Sequence, residues 1–136
     1  MMARVSTHDV LVMGAAIIHG GRVLAARRTT PPSAAGLWEF PGGKVEPDET
    51  PEEAVVREVR EELTCDVRVT GMLDGEAQIK AGYVLRVAVA ELVRGEPLPH
   101  EHDAVWWLGP EELERVAWLG PDLPFLDELR RRLEAS

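Results

Sequence analysis

Three glutamates, Glu58, Glu61 and Glu62, stand at the i, i+3 and i+4 spacing that puts side chains on one face of a helix. At about 100° per residue they fill an arc next to the apolar arc of Val55, Val56, Val59 and Leu63. Like charges on adjacent turns repel, by about 0.2–0.5 kcal/mol per pair. A hard divalent cation, Mg2+ or Mn2+, would offset that repulsion, since its preferred ligands are carboxylate oxygens. A solvated surface with Arg57 and Arg60 as ion-pair partners fits the same arc. The residues just upstream weigh toward the cation: Gly42 and Gly43 let the backbone come close to a ligand and leave a carbonyl free to join an oxygen shell.

The elements that must hold these carboxylates can be read from pattern. Thr50, Pro51 and Glu53 form a T-x-x-E helix start with proline at the first helical position, so a helix should run from Pro51 to about Leu63. Upstream, the apolar runs Val10 to Ile18 and Arg22 to Ala26 flank His19-Gly20-Gly21 and predict two strands and a turn. Thr29 to Gly36 reads as an exposed, mobile loop, and Leu37 to Phe40 as a short strand. Downstream, Val67 to Met72, Gly82 to Leu92 and Ala104 to Leu108 predict further strands. A short helix should start at Pro110, and Phe125, Leu126, Leu129 and Leu133 give a terminal helix an apolar stripe. The order lacks a strict βαβ period, which implies an α+β chain within the broad α/β class: a mixed β-sheet between helices.

Gly43, five residues, Glu49, seven residues, then Arg57-Glu58-Val59-Arg60-Glu61-Glu62 resembles the Nudix box, G-x5-E-x7-R-E-U-x-E-E-x-G-U, over residues 43–65. Thr64 departs from it, standing where the box has glycine; a threonine forced into the left-handed conformation there costs about 1 kcal/mol. Outside the box, Ala25-Ala26-Arg27-Arg28, Gly36 to Glu46, Glu101-His102, Trp107 and Pro121-Asp122-Leu123-Pro124 resemble the MutT-like nucleoside triphosphate pyrophosphohydrolases, so the likeness covers nearly the whole chain.

The resemblance implies the Nudix fold in one domain over residues 1–136. It implies Mg2+-dependent hydrolysis of (deoxy)nucleoside triphosphates to the monophosphate and pyrophosphate, with Mn2+ as a substitute. That activity would cleanse the nucleotide pool of 8-oxo-dGTP or cytidine-type triphosphates. By position, Glu58, Glu61, Glu62 and Glu101 would be catalytic, and with the Gly42 carbonyl they would hold the metal. Glu101 also reads as a solvated loop carboxylate. Glu49 and Arg57 would form an ion pair supporting the metal carboxylates. Arg28, Glu39, Phe40 and Asp122 would bind substrate, Arg28 at phosphate and Asp122 at the base. An ionised aspartate only accepts hydrogen bonds, which suits cytosine's exocyclic amine, though guanine's N1–H and N2–H2 edge also serves. Asp122 reads as well as a helix cap, and Arg28 as an exposed strand-end arginine. Two other readings are a hydrolase of another nucleoside diphosphate derivative such as ADP-ribose, and a non-catalytic nucleotide-binding module. Branches of the first kind usually carry extra sequence, and the intact glutamates speak against the second.

The remaining composition narrows the field. A formal charge of -9 argues against duplex nucleic acid as a partner, since phosphate neutralisation needs clustered Lys and Arg. Cys65 is the single cysteine, so no internal disulfide forms, and no apolar run suits a signal peptide or a membrane span. The expectation is a cytoplasmic monomer or homodimer that does not engage a membrane. Trp38, Phe40, Trp106 and Trp107 are candidates to stack on a base, with Trp106 and Trp107 on opposite faces of their strand. His8, His19, His100 and His102 lack ligand spacing and read as surface residues, His102 nearest the site.

Overall fold

The computed structural model describes residues 9–135. Its strands are β1 (Val10–His19), β2 (Arg22–Arg28), β3 (Trp38–Glu39), β4 (Gly42–Lys44), β5 (Asp66–Met72), β6 (Ala77–Lys80), β7 (Tyr83–Arg94) and β8 (His102–Leu108). Helix α1 spans Pro51–Leu63 and α2 spans Leu126–Ala135, with 3-10 segments at Pro110–Arg115 and Gly120–Phe125. The strands form one mixed sheet in the order β3-β2-β1-β7-β5, with β4 added to β1, β6 to β7 and β8 to β2. β1 and β7 pair in parallel from Val10 opposite Tyr83 to Ile18 opposite Glu91; the other pairs are antiparallel.

The sheet is sandwiched because β1 alternates. Met13, Ala15 and Ile17 join Val55, Val59 and Leu63 of α1 in one buried cluster. Ala16 turns the other way, into a second cluster with Leu126, Leu129 and Leu133 of α2 and with Leu113, Trp118 and Phe125 of the 3-10 segments and the turn between them. Period-two strands thus deliver one residue set to each helix layer, as the mixed-sheet expectation requires.

The start of α1 follows its sequence signal. Glu53 N–H donates to Thr50 Oγ1 at 3.1 Å and Thr50 N–H to Glu53 Oε1 at 2.8 Å, completing the capping box. At the other end Thr64 adopts the left-handed conformation (φ 53, ψ 34) that the box glycine would supply. Two strands escaped the sequence reading. β4 is three residues with two glycines and β6 is four residues, each too short to display a period. The 29–36 loop is stitched to itself: Ala34 and Ala35 N–H donate to the Pro31 carbonyl, and Gly36 N–H to Arg28. No helix among the described residues is long and apolar enough to cross a membrane.

Candidate active site

Arg57 organises the acidic face of α1. Its Nε donates to Glu49 Oε2 at 2.6 Å and Nη2 to Glu49 Oε1 at 2.9 Å, a two-point clamp between helix and entry loop. Nη1 reaches Glu58 Oε1 at 2.9 Å and Glu61 Oε1 at 3.0 Å, and Nη2 also meets the Lys44 carbonyl at 3.1 Å. One guanidinium therefore gathers three carboxylates and the strand before them. Its hydrogen bonds and charge hold Glu49 down to about 2, far below the usual carboxylate range, and the same bonds raise Arg57. Glu46 is more distant, 3.8 Å from Arg57 and largely exposed.

Glu62 lies apart from this network. It is 6% exposed, and its Oε2 is buried without a protein hydrogen-bond partner. Burial, followed by the charges of Glu58, Glu39 and Glu101, pushes it up to about 8, while the Gly42 N–H pulls it the other way. Glu58 is raised too, chiefly by burial and against the pull of Arg57. Among the described residues no three of His, Cys, Asp and Glu converge as a ready-made metal-binding group. Glu58 and Glu61 lean on Arg57, and Glu101 is exposed on the loop before β8.

The two glycines before α1 are there for space. A Cβ on Gly42 would sit 1.9 Å from the Met13 carbonyl oxygen, so only glycine lets β4 pair so closely with β1. A Cβ on Gly43 would sit 1.4 Å from Glu58 Oε2, so the missing side chain leaves the pocket that carboxylate occupies.

Two clefts meet here. The first, about 540 Å³, is polar and lined by Arg28, Glu39, Gly42, Glu62, Glu101 and His102, among others. The second, about 270 Å³, is mainly apolar, with Phe40, Leu85, Leu119 and Asp122 in its wall. Arg28, Glu39 and Gly42 line both. Arg28, at the end of β2, is oriented by Glu39 Oε1 at 3.0 Å and by the Thr30 carbonyl at 2.8 Å. Arg27 faces elsewhere, to Asp103 at 2.7 Å and over the Trp38 ring.

Asp122 is 5% exposed in a 3-10 segment that starts after Leu119, and it caps no helix. Its Oδ2 accepts the Phe40 N–H at 3.1 Å, tying the far end of the chain to the strand before the site. Burial pushes it up to about 8, the direction that favours the protonated acid, which donates as well as accepts. The sequence does not reveal how deeply this residue is buried.

Of the aromatic candidates Phe40 alone lines one of these clefts, backed by Trp118 at 4.9 Å. Trp106 is 43% exposed and tilts against Trp38, whereas Trp107 joins the core on the α1 side, on the opposite face as alternation requires. His102 also corrects the sequence reading. It is 7% exposed rather than a surface residue, with Nε2 at 2.8 Å from Glu39 Oε2. His100 stays exposed at the rim of the first cleft, His19 packs against Trp107, and His8 lies outside the described residues.

Residues 9–129 match the family described as NUDIX domain. The chain is 36% identical over 118 residues to a CTP pyrophosphohydrolase of Escherichia coli, covering 85% of this chain and 87% of that protein. A Mycobacterium tuberculosis protein provisionally named 8-oxo-dGTP diphosphatase 2 is 36% identical over 129 residues, 93% of this chain and 92% of its own. Among solved structures, a MutT NUDIX hydrolase from Burkholderia pseudomallei superposes with a TM-score of 0.78 at 32% identity, covering 89% of this chain and 98% of that one.

Proposed function

The chain belongs to the NUDIX hydrolase family, and from that premise we propose that it hydrolyses (deoxy)nucleoside triphosphates to the monophosphate and pyrophosphate, using Mg2+. The observation that carries this reading is the pair of clefts joined at Arg28, Glu39 and Gly42. A polar, carboxylate-walled cleft suits a polyphosphate with its counter-cations, and an adjoining apolar cleft with one buried acid suits a base. The names of the relatives from E. coli and M. tuberculosis support cytidine and oxidised guanine nucleotides as the substrates to test.

The residues fit a hard divalent cation. Glu62 Oε2 is a buried oxygen with no protein partner, and the cradle beside Gly43 holds Glu58 at the backbone. The donors are all oxygens, as Mg2+ prefers. Glu58, Glu61, Glu62, Glu101 and the Gly42 carbonyl would hold it. When bound, it neutralises phosphate charge and lowers the pKa of water.

The chain's own residues do the rest. Arg57 and Glu49 fix the α1 carboxylates, a supporting role of the kind that tunes such sites. Arg28 binds phosphate oxygens of the substrate and holds the polyphosphate in the cleft. The oxygen of water attacks phosphorus, pyrophosphate and the nucleoside monophosphate separate, and a carboxylate of this cluster takes the water's proton. Phe40 and Asp122 hold the base.

The test is a panel with Mg2+ scored by kcat/KM: the standard nucleoside triphosphates, 8-oxo-dGTP, methylated dCTP and ADP-ribose. The expected result is pyrophosphate release, fastest from a cytidine or 8-oxoguanine triphosphate. Preference for ADP-ribose, or no turnover of any triphosphate, would overturn the reading. Asp122→Ala should depress kcat/KM most for the preferred base; an equal effect on every base would remove Asp122 from base recognition.

A further inference from the structure

His102 opens β8 in an irregular register. Ala104 lies opposite Arg27, but His102, not Asp103, lies opposite Arg28. Strict alternation would put His102 on the face of Ala104 and Arg27; the bulge at Asp103 turns it to the face of Arg28 instead. Glu39 lies opposite Ala26, two residues before Arg28 on β2, and so shares that face. The bulge thus brings a histidine, a glutamate and an arginine from three strands together.

Their side chains form a chain of hydrogen bonds. Arg28 Nη1 donates to Glu39 Oε1 at 3.0 Å, and His102 Nε2 meets Glu39 Oε2 at 2.8 Å. In the tautomer with the hydrogen on Nε2, His102 donates to Oε2 and Glu39 is held at both oxygens. The histidine side chain is 4% exposed and that of Glu39 15%, so the bond is shielded from water. His102 Nδ1 is buried without a partner, and the imidazole therefore has one anchor, Glu39.

We propose that His102 is a positioning residue for the substrate cleft: by fixing Glu39 it aims the Arg28 guanidinium at the junction of the two clefts. The proposal rests on the nucleoside triphosphate reading for what Arg28 meets there. Without the imidazole, Glu39 Oε2 loses its donor in a polar cleft and the carboxylate turns toward solvent. Arg28 turns with it or loses the bond. A misaimed Arg28 weakens substrate binding while the α1 carboxylates stay in place.

The test compares the full chain with His102→Gln and His102→Leu, using the triphosphate that the wild type hydrolyses best. The side-chain amide of the glutamine variant can replace the Nε2–H donor; leucine cannot. We expect His102→Leu to raise KM about tenfold or more with kcat within about threefold, and His102→Gln to restore most of the KM. An unchanged KM in His102→Leu, or equal losses in both variants, would overturn the proposal, since a purely structural histidine would show one of those. Imidazole 15N spectra of the wild type add a readout independent of turnover and of how the variants fold. They should show the Nε2–H tautomer, and an Nδ1–H tautomer would overturn the bond to Glu39. A wild type that hydrolyses no triphosphate overturns the proposed function instead, and the tautomer spectrum still decides the His102–Glu39 bond.

Discussion

Replacing Gly43 with alanine should separate catalysis from folding. The added Cβ would stand 1.4 Å from Glu58 Oε2 and 2.4 Å from its Cδ, against an ordinary contact of at least 3.4 Å, so the carboxylate must withdraw by about 2 Å. What obstructs the methyl is the free end of a flexible side chain. An off-rotamer side chain costs about 0.5–1.5 kcal/mol, the lost Arg57 bond to Glu58 about 0–1 kcal/mol, and the lower backbone entropy of alanine in the unfolded chain returns about 0.4–1 kcal/mol. Stability should therefore stay within about 2 kcal/mol of wild type, a change in Tm of less than about 10 °C. Activity should not be spared. A misplacement of about 1 Å can cost about 100-fold, so kcat/KM should fall at least about 100-fold, close to 2.7 kcal/mol in the barrier. The assay is pyrophosphate release with Mg2+, beside thermal unfolding. Gly120→Ala is the control, because nothing lies within 4 Å of its Cβ. If Gly43→Ala kept activity within a few-fold of wild type, the placement of Glu58 beside Gly43 would have no catalytic meaning. A large loss of stability would refute the claim that only a side chain stands in the way.

Glu62→Gln should weaken Mn2+ binding at least about tenfold, because it removes charge from the buried oxygen without a partner; unchanged affinity by titration calorimetry would sink the cation assignment. The metal-free protein should lose stability as pH rises from about 4.5 to 8. Glu62 and Asp122, pushed up to about 8, keep protons in the folded chain that the unfolded chain releases near the ordinary values of 4.5 and 3.8. Denaturant midpoints measured across that range should fall, and Glu62→Gln and Asp122→Asn should each flatten the slope; a midpoint that rises with pH would contradict the burial of both acids. Thr64→Gly should raise stability by about 1 kcal/mol by relieving the left-handed threonine, and no gain in Tm would mean that the Thr64 Oγ1 bond to the Leu63 carbonyl offsets the strain.

The sequence alone determined what is local and periodic. Thr50, Pro51 and Glu53 placed the start of α1, because a capping box is a contact across one turn. The spacing from Gly43 to Glu62 identified the family and the acidic face, since both depend only on residue type and separation along the chain. Alternation put Trp106 and Trp107 on opposite faces for the same reason. Only the tertiary structure decided the contacts between distant segments. Phe40 and Asp122 meet across 82 residues, and Glu39 and His102 across 63, through sheet registers and a 3-10 segment that no local pattern encodes. The bulge at Asp103 matters most, because one unpaired residue reverses the face of every residue beyond it. Burial is likewise a property of the assembled layers, and it raises Glu62 and Asp122 to about 8.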